Sequence, residues 1–220
     1  HAPLVNPHKG QLAELLDKDG VFITESQYLL DVLERNQFEG IYHEHIRTYS
    51  LKALTKLFPY YGMEVFDVQR ASRYGGNIRA YAGWKGAHPI SKRVAELLQV
   101  EEDAGLFDPT VCAAWRKRVD DNRVKFMQLV YDAKSKGQQV VAASCPGRGA
   151  VLMNYFGLDT SLVPYIAEIP TGLKIGKFMP GTKCIIPWCD KNCTTVICAL
   201  CRGKITRIKS ELGGVRFKER

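Results

Sequence analysis

Residues 138–156 read Gln-Gln-Val-Val-Ala-Ala-Ser-Cys-Pro-Gly-Arg-Gly-Ala-Val-Leu-Met-Asn-Tyr-Phe. Val140 to Ala143 predicts a strand, Cys145-Pro146-Gly147-Arg148-Gly149 a tight loop, and Ala150 to Phe156 a short helix. Strand, glycine loop and helix in that order form the unit from which parallel α/β sheets are built. Further strands are expected near 163–167, 184–186 and 194–200, with a last helix near 203–211, so the final third reads as a small α/β domain with a mainly parallel sheet.

Upstream, a helical hairpin is expected over about 90–136. Asp108-Pro109 has the cap-then-proline form of a helix start, Cys112, Trp115, Val119, Phe126 and Val130 form its stripe, and Gly137 stops it. Strands at 63–68 and 77–84, joined at Tyr74-Gly75-Gly76, form an expected antiparallel pair. Val21-Phe22-Ile23-Thr24 reads as a buried strand, and Ser26 as the N-cap of a helix carrying Leu29, Leu30 and Leu33. Ser50 caps a second helix with an inner face of Leu51, Leu54, Leu57 and Phe58, ended by Gly62; Leu12, Leu15 and Leu16 suggest the end of an earlier one. The expected organisation is 1–85, 86–136 and 137–220. The first segment supplies about three strands and would leave a long unpaired edge, so it is expected to be the back part of a larger domain. A chain beginning at His1 rather than methionine fits that expectation.

The chain has 220 residues, 45% hydrophobic and 25% charged, which excludes the disordered and fibrous classes. Polar residues interrupt every apolar stretch well before eighteen positions, so no spanning helix is expected, and no apolar signal segment is evident. A cytoplasmic protein is the expectation. The net charge is +8, of which the basic tail from residue 188 carries +5. A basic tail on a nearly neutral body is weak support for nucleic acid, which is not the expected partner. Five of the seven cysteines fall at 184, 189, 193, 198 and 201, but only Cys198-x-x-Cys201 has the paired spacing of a zinc site. No metal is expected.

Two constellations carry chemistry. Tyr42-His43-Glu44-His45 gathers four titratable side chains just before a helix start. If extended, Tyr42 and Glu44 share one face and the two histidines the other; if the segment curls, Tyr42 and His45 converge. A histidine beside a carboxylate is the usual general base near neutral pH, and a polar loop closing hydrogen bonds is the alternative. The 145–149 loop brings backbone N–H groups, a helix N-terminus and Arg148 to one point, which suits a phosphate. It holds two glycines of the dinucleotide fingerprint and no third, so a nicotinamide cofactor is not indicated, and a turn needed only for packing explains the glycines equally well. Lys174, Lys177 and Pro180-Gly181 offer a second phosphate contact.

In this order the motifs resemble the S-adenosylmethionine-dependent sugar-nucleotide C-methyltransferases of deoxysugar biosynthesis. The likeness rests on Tyr28-Leu29-Leu30-Asp31, Phe38-Glu39-Gly40-Ile41-Tyr42-His43-Glu44-His45, Tyr49-Ser50-Leu51, the 62–68 run and Gly75-Gly76-Asn77-Ile78-Arg79. It continues through Gly147-Arg148-Gly149, Leu152-Met153-Asn154-Tyr155 and the stretch from Lys174 to Gly181, covering roughly 11–187. The resemblance implies a partial Rossmann-like methyltransferase sheet, a helical hairpin and a C-terminal Rossmann-like domain. It implies that a base removes the proton next to a keto group of a nucleoside-diphosphate sugar and that the enolate takes the methyl of S-adenosylmethionine. Carried over by position, His45 is the base, with Tyr42 and Glu44 orienting it and handling the enolate oxygen. Gly75, Gly76, Asn77, Arg79, Arg148, Gly149, Asn154 and Lys174 are the implied substrate contacts.

The family's glycine-rich donor site and its cysteine-rich zinc region, both upstream, have no counterpart in these residues. Arg148 stands where the family often has lysine. The chain alone is therefore expected not to transfer methyl. A non-catalytic sugar-nucleotide module completing a partner chain that supplies the missing strands is the alternative.

Overall fold

A computed structural model of the chain describes residues 15–42, 45–143, 145–168, 171–187 and 196–199. Leu12, His43, Glu44, the helix expected near 203–211 and Cys189, Cys193 and Cys201 lie outside the described residues. The chain divides into two units, 1–118 and 119–220.

The first unit contains β1 (Phe22–Gln27), α1 (Leu29–Glu34), α2 (Leu51–Leu57), β2 (Met63–Ala71), β3 (Asn77–Trp84), α3 (Lys92–Asp103) and the start of α4 (Pro109–Ser135). Its sheet has the order β1-β3-β2, antiparallel in both pairings. Strand alternation sorts the faces. Ile78, Ala80 and Ala82 of β3 are buried with Met63, Val65 and Val68 of β2 against α1, α2 and α3. Asn77, Arg79 and Tyr81 take the opposite face, in register with Gln27, Glu25 and Ile23 of β1. A bulge between Val65 and Asp67 sets Asp67 opposite Tyr81, which keeps the β2 end of that face polar.

Two different residues cap α2. Ser50 Oγ accepts from the Ala53 N–H at 3.0 Å, as its sequence position predicts. The buried Glu101 carboxylate, arriving from α3, accepts from the backbone N–H groups of Leu51 at 2.5 Å and Lys52 at 2.9 Å. Gly62 closes the following 3-10 turn in the left-handed region, φ 72°.

Two local expectations are corrected. Ser26 does not cap α1: it lies inside β1 opposite Ile78, and Tyr28 occupies the cap position with extended backbone and no side-chain bond. β1 is not a buried strand either. It is one of the two edge strands of its sheet, and Ile23 is 55% exposed.

The second unit contains the rest of α4, β4 (Val140–Ala143), α5 (Gly149–Phe156), β5 (Ile166–Ala167) and β6 (Val196–Ala199). Here the sheet is parallel, order β5-β4-β6, with Ala142 opposite both Ile166 and Cys198. Phe126 of α4 stacks on Phe156 of α5 at 4.8 Å, beside buried Val130, Leu152 and Met153. Gly137, at φ 70°, ends α4 where the sequence places the stop. The 184–186 stretch forms isolated bridges through Ile185 to Tyr165 and Phe178 rather than a full strand. The architecture is thus mixed α/β. The unit division falls inside α4, whereas the sequence suggests a separate helical connector over 86–136. Among the described residues no helix is long and apolar enough to cross a membrane.

Candidate functional site

The polar face of the first sheet and the chain that returns to it make one cluster. After α1 the chain passes a 3-10 turn at Phe38–Gly40 and bends twice, through Tyr42 N–H to Gly40 O at 3.1 Å and His45 N–H to Tyr42 O at 2.9 Å. The Tyr42 and His45 rings meet, with centroids 4.8 Å apart. It is then pinned to the end of β1: Tyr49 N–H donates to Gln27 O at 3.1 Å and Leu29 N–H to Tyr49 O at 2.8 Å. That pairing brings His45 Nδ1 to 3.3 Å from Gln27 Oε1. Gly40 packs flat on the same amide, where a β-carbon would lie 2.4 Å from Gln27 Nε2.

Glu25 lies two residues before Gln27 on the same face. Its carboxylate accepts from Asn77 Nδ2 at 2.9 Å and from Arg79 Nε at 2.9 Å and Nη2 at 2.7 Å. Hydrogen bonds from Asn77 and Arg79 hold the Glu25 carboxyl below the ordinary carboxylate range. Tyr81 donates to Gln69 Oε1 at 3.3 Å farther along this face. The implied substrate residues Asn77 and Arg79 are therefore engaged with a partner in their own sheet.

Gly75 and Gly76 do structural work. Gly75 O accepts from Arg35 Nη1 at 2.7 Å and Gln37 Nε2 at 3.1 Å, and Gly76, at φ 133°, would drive a β-carbon to 2.3 Å from Asp31 Cγ. Asp31 is itself buried and paired with Arg70 at 2.8 Å and Arg35 at 3.1 Å. The glycine turn fits because Asp31 occupies the space a side chain would need.

In the second unit the 145–149 loop joins the carboxyl end of β4 to the N-terminus of α5. Cys145 N–H donates to Glu168 Oε2 at 3.0 Å, and Lys174 Nζ donates to Cys145 O. Lys174 and the loop containing Arg148 and Gly149 are thereby brought together. Asn154 has partners of its own: its Nδ2 donates to Ala150 O at 2.7 Å and Pro180 O at 2.9 Å, clamping the 180–181 turn to α5. Burial pushes the Cys145 and Cys184 thiols up from the ordinary thiol range. A cavity of about 390 Å³ lined by Lys134, Gln138, Gln139, Thr160 and Ser161 opens at the amino end of β4. Ligands of parallel α/β sheets gather at the carboxyl ends of the strands, which here is the loop side. Among the described residues no group of three or more His, Cys, Asp or Glu is placed to hold a metal ion.

Of the residues singled out in the sequence, Tyr42 meets His45, and Lys174 meets the 145–149 loop. Gln27, Glu25 and Gly40 stand beside the first of these pairs or on the same sheet face, through pairings far along the chain that leave no local signal.

Residues 72–192 match the family described as the C-methyltransferase C-terminal domain. The chain is also similar to the C-methyltransferase NovU of Streptomyces niveus, 32% identical over 184 residues. That alignment takes in 83% of this chain and 44% of NovU, so the chain spans less than half the length of this relative.

Proposed function

The chain belongs to the C-methyltransferase family, and from that premise we propose that it carries the proton-abstracting and substrate-holding part of a carbon methylation. The substrate is a nucleoside-diphosphate sugar bearing a keto group, and the methyl donor is S-adenosylmethionine. The observation that carries the proposal is the meeting of Tyr42 and His45 over a polar sheet face.

Neutral His45 takes the proton from the carbon next to the carbonyl. The C–H bond breaks, the proton passes to the imidazole, and the electron pair moves into the enolate. A base near neutral pH and a donor for the developing oxyanion are what this step needs. Tyr42 and Glu44 are assigned to orient the base and to meet the oxygen. In the second unit, Arg148, the amide groups opening α5 and the Lys174 ammonium supply cationic and N–H partners for the diphosphate. Its sheet is the nucleotide-side α/β fold of Rossmann type, and the first sheet is one part of a methyltransferase sheet.

The described residues of the first unit do not fit the methyl donor. Such a site needs a strand leading through a glycine turn into a helix, and β1 passes into α1 through Tyr28 with no glycine between them. The chemistry assigned to this chain therefore stops at the enolate, a step that needs no donor.

That step can be followed alone. The protein is incubated in D2O with a nucleoside-diphosphate keto sugar while NMR records loss of the proton α to the carbonyl. Exchange above the buffer rate is expected, falling at least ~100-fold in His45→Ala. Exchange in His45→Ala equal to wild type, or none in wild type, refutes the assignment.

A further inference from the structure

We infer that Gln27 is a positioning residue for His45, and that Gly40 is small so that the Gln27 amide can stand where it does. The inference rests on His45 being the base. Gln27 ends β1 on the sheet's polar face, and its Oε1 lies 3.3 Å from His45 Nδ1. An amide oxygen can only accept, so this contact requires a hydrogen on Nδ1. A neutral imidazole carries one N–H, so the basic lone pair then sits on Nε2.

The same choice of nitrogen in a solvated histidine would be only a preference. Three features make it a fixed one. The Gln27 backbone is locked on both sides, by β3 through Asn77 and by Tyr49 N–H on its carbonyl. The side-chain amide is confined by Gly40, whose α-carbon leaves no room for a methyl group. The bond to Tyr49 also fixes the far end of the short return from His45, so ring and amide share one anchor.

The amide is suited to the task because it is neutral. A carboxylate at this position would stabilise the imidazolium and move the onset of the free base to higher pH. The nearby carboxylate, Glu25, is on the same face but tied to Asn77 and Arg79. Tyr42 is the titratable group stacked on the ring from its own segment. Gln27 thus sets which nitrogen is basic without changing the charge around it.

The test uses 15N-labelled wild-type protein with Gln27→Ala, Gln27→Glu and Gly40→Ala. Ring-nitrogen chemical shifts give the tautomer of His45, and α-proton exchange on the keto sugar gives the rate. Wild type is expected to hold the hydrogen on Nδ1. Gln27→Ala is expected to mix the tautomers and to slow exchange roughly tenfold, the rate equivalent of one neutral hydrogen bond. Gln27→Glu is expected to shift the acid limb of the pH–rate profile upward by about one pH unit, because the carboxylate stabilises the imidazolium.

Gly40→Ala leaves Gln27 in the sequence and displaces only the flexible end of its side chain, at a position without positive φ. It is expected to reproduce the Gln27→Ala tautomer change with unfolding stability retained. A wild-type hydrogen on Nε2, or a tautomer and pH profile indifferent to both Gln27 and Gly40 substitutions while His45→Ala still stops exchange, overturns the inference and leaves the base in place. Exchange that survives His45→Ala overturns the base assignment, and the positioning role falls with it.

Discussion

Glu101→Ala is expected to cost about 3–4 kcal/mol of stability in the first unit. Glu101 is buried, and its two oxygens receive the N–H groups of Leu51 at 2.5 Å and Lys52 at 2.9 Å. These amides open α2 and have no partner within the helix. Hydrogen bonds to a charged acceptor are worth about 1.5–3 kcal/mol each, and an acceptor at a helix N-terminus gains further from the dipole. Part of this is offset by the cost of burying the carboxylate, which is why the expected loss lies near the lower end of the sum. Glu101→Gln keeps one acceptor oxygen but turns an NH2 toward the second amide, so about 2 kcal/mol is expected. Glu102→Ala is the control: its carboxylate is exposed and meets Lys52 at 3.2 Å, a pair worth under about 1 kcal/mol. Urea unfolding followed by the fluorescence of Trp84 and Trp115, both packed against this core, reads all three. A Glu101→Ala loss no larger than that of Glu102→Ala would refute the assignment of Glu101 as the cap of α2.

Three further outcomes follow from the same structure. Gly76→Ala is expected to lose at least ~2 kcal/mol, since φ 133° and the Asp31 contact both oppose a β-carbon, and thermal unfolding against a Lys85→Ala control checks it. The depressed Glu25 carboxyl contributes stability that is fully present above its unfolded value of 4.5 and is lost as pH falls through its lower folded value. Glu25→Gln should therefore flatten the acid side of the stability–pH curve, and an unchanged slope below pH 4.5 would count against it. Thiol labelling with peptide mapping should mark exposed Cys112 quickly, and Cys145 and Cys184 only as the second unit unfolds; rapid native labelling of either buried thiol would contradict their burial.

What could be read from the sequence was what neighbouring residues decide. Ser50, Asp108-Pro109, Gly62 and Gly137 punctuate helices through their own backbone and side chains, and all stand where expected. The β2–β3 pair and the strand–loop–helix at 140–156 were equally legible, because a turn or a change of period marks each. Ser26 misled because a cap residue and a strand residue look alike until β3 claims it. Glu101 as a cap was invisible, since α3 lies fifty residues from the helix it closes. For the site, the sequence gathered Tyr42 and His45 but left open whether they meet, a question settled by the bends at Gly40 and Tyr42. Arg79 and Asn154 were legible as polar and well placed, but not as side chains already held by Glu25 and by Pro180 O.

The return from His45 to Tyr49 constrains number rather than identity. Ile46 is 76% exposed and Arg47 is also at the surface, so either side chain can be exchanged freely. Their count cannot. Tyr49 is fastened to the Gln27 carbonyl and His45 to the Gln27 amide, so the residues between them act as a ruler with both ends nailed to one residue. Each added residue lengthens a chain by up to about 3.3–3.6 Å, as much as the whole hydrogen bond that must be kept. A stretch whose exposed positions accept substitution but whose length accepts no insertion would pass unnoticed in a scan of point variants, and would be found only by changing the length of the chain.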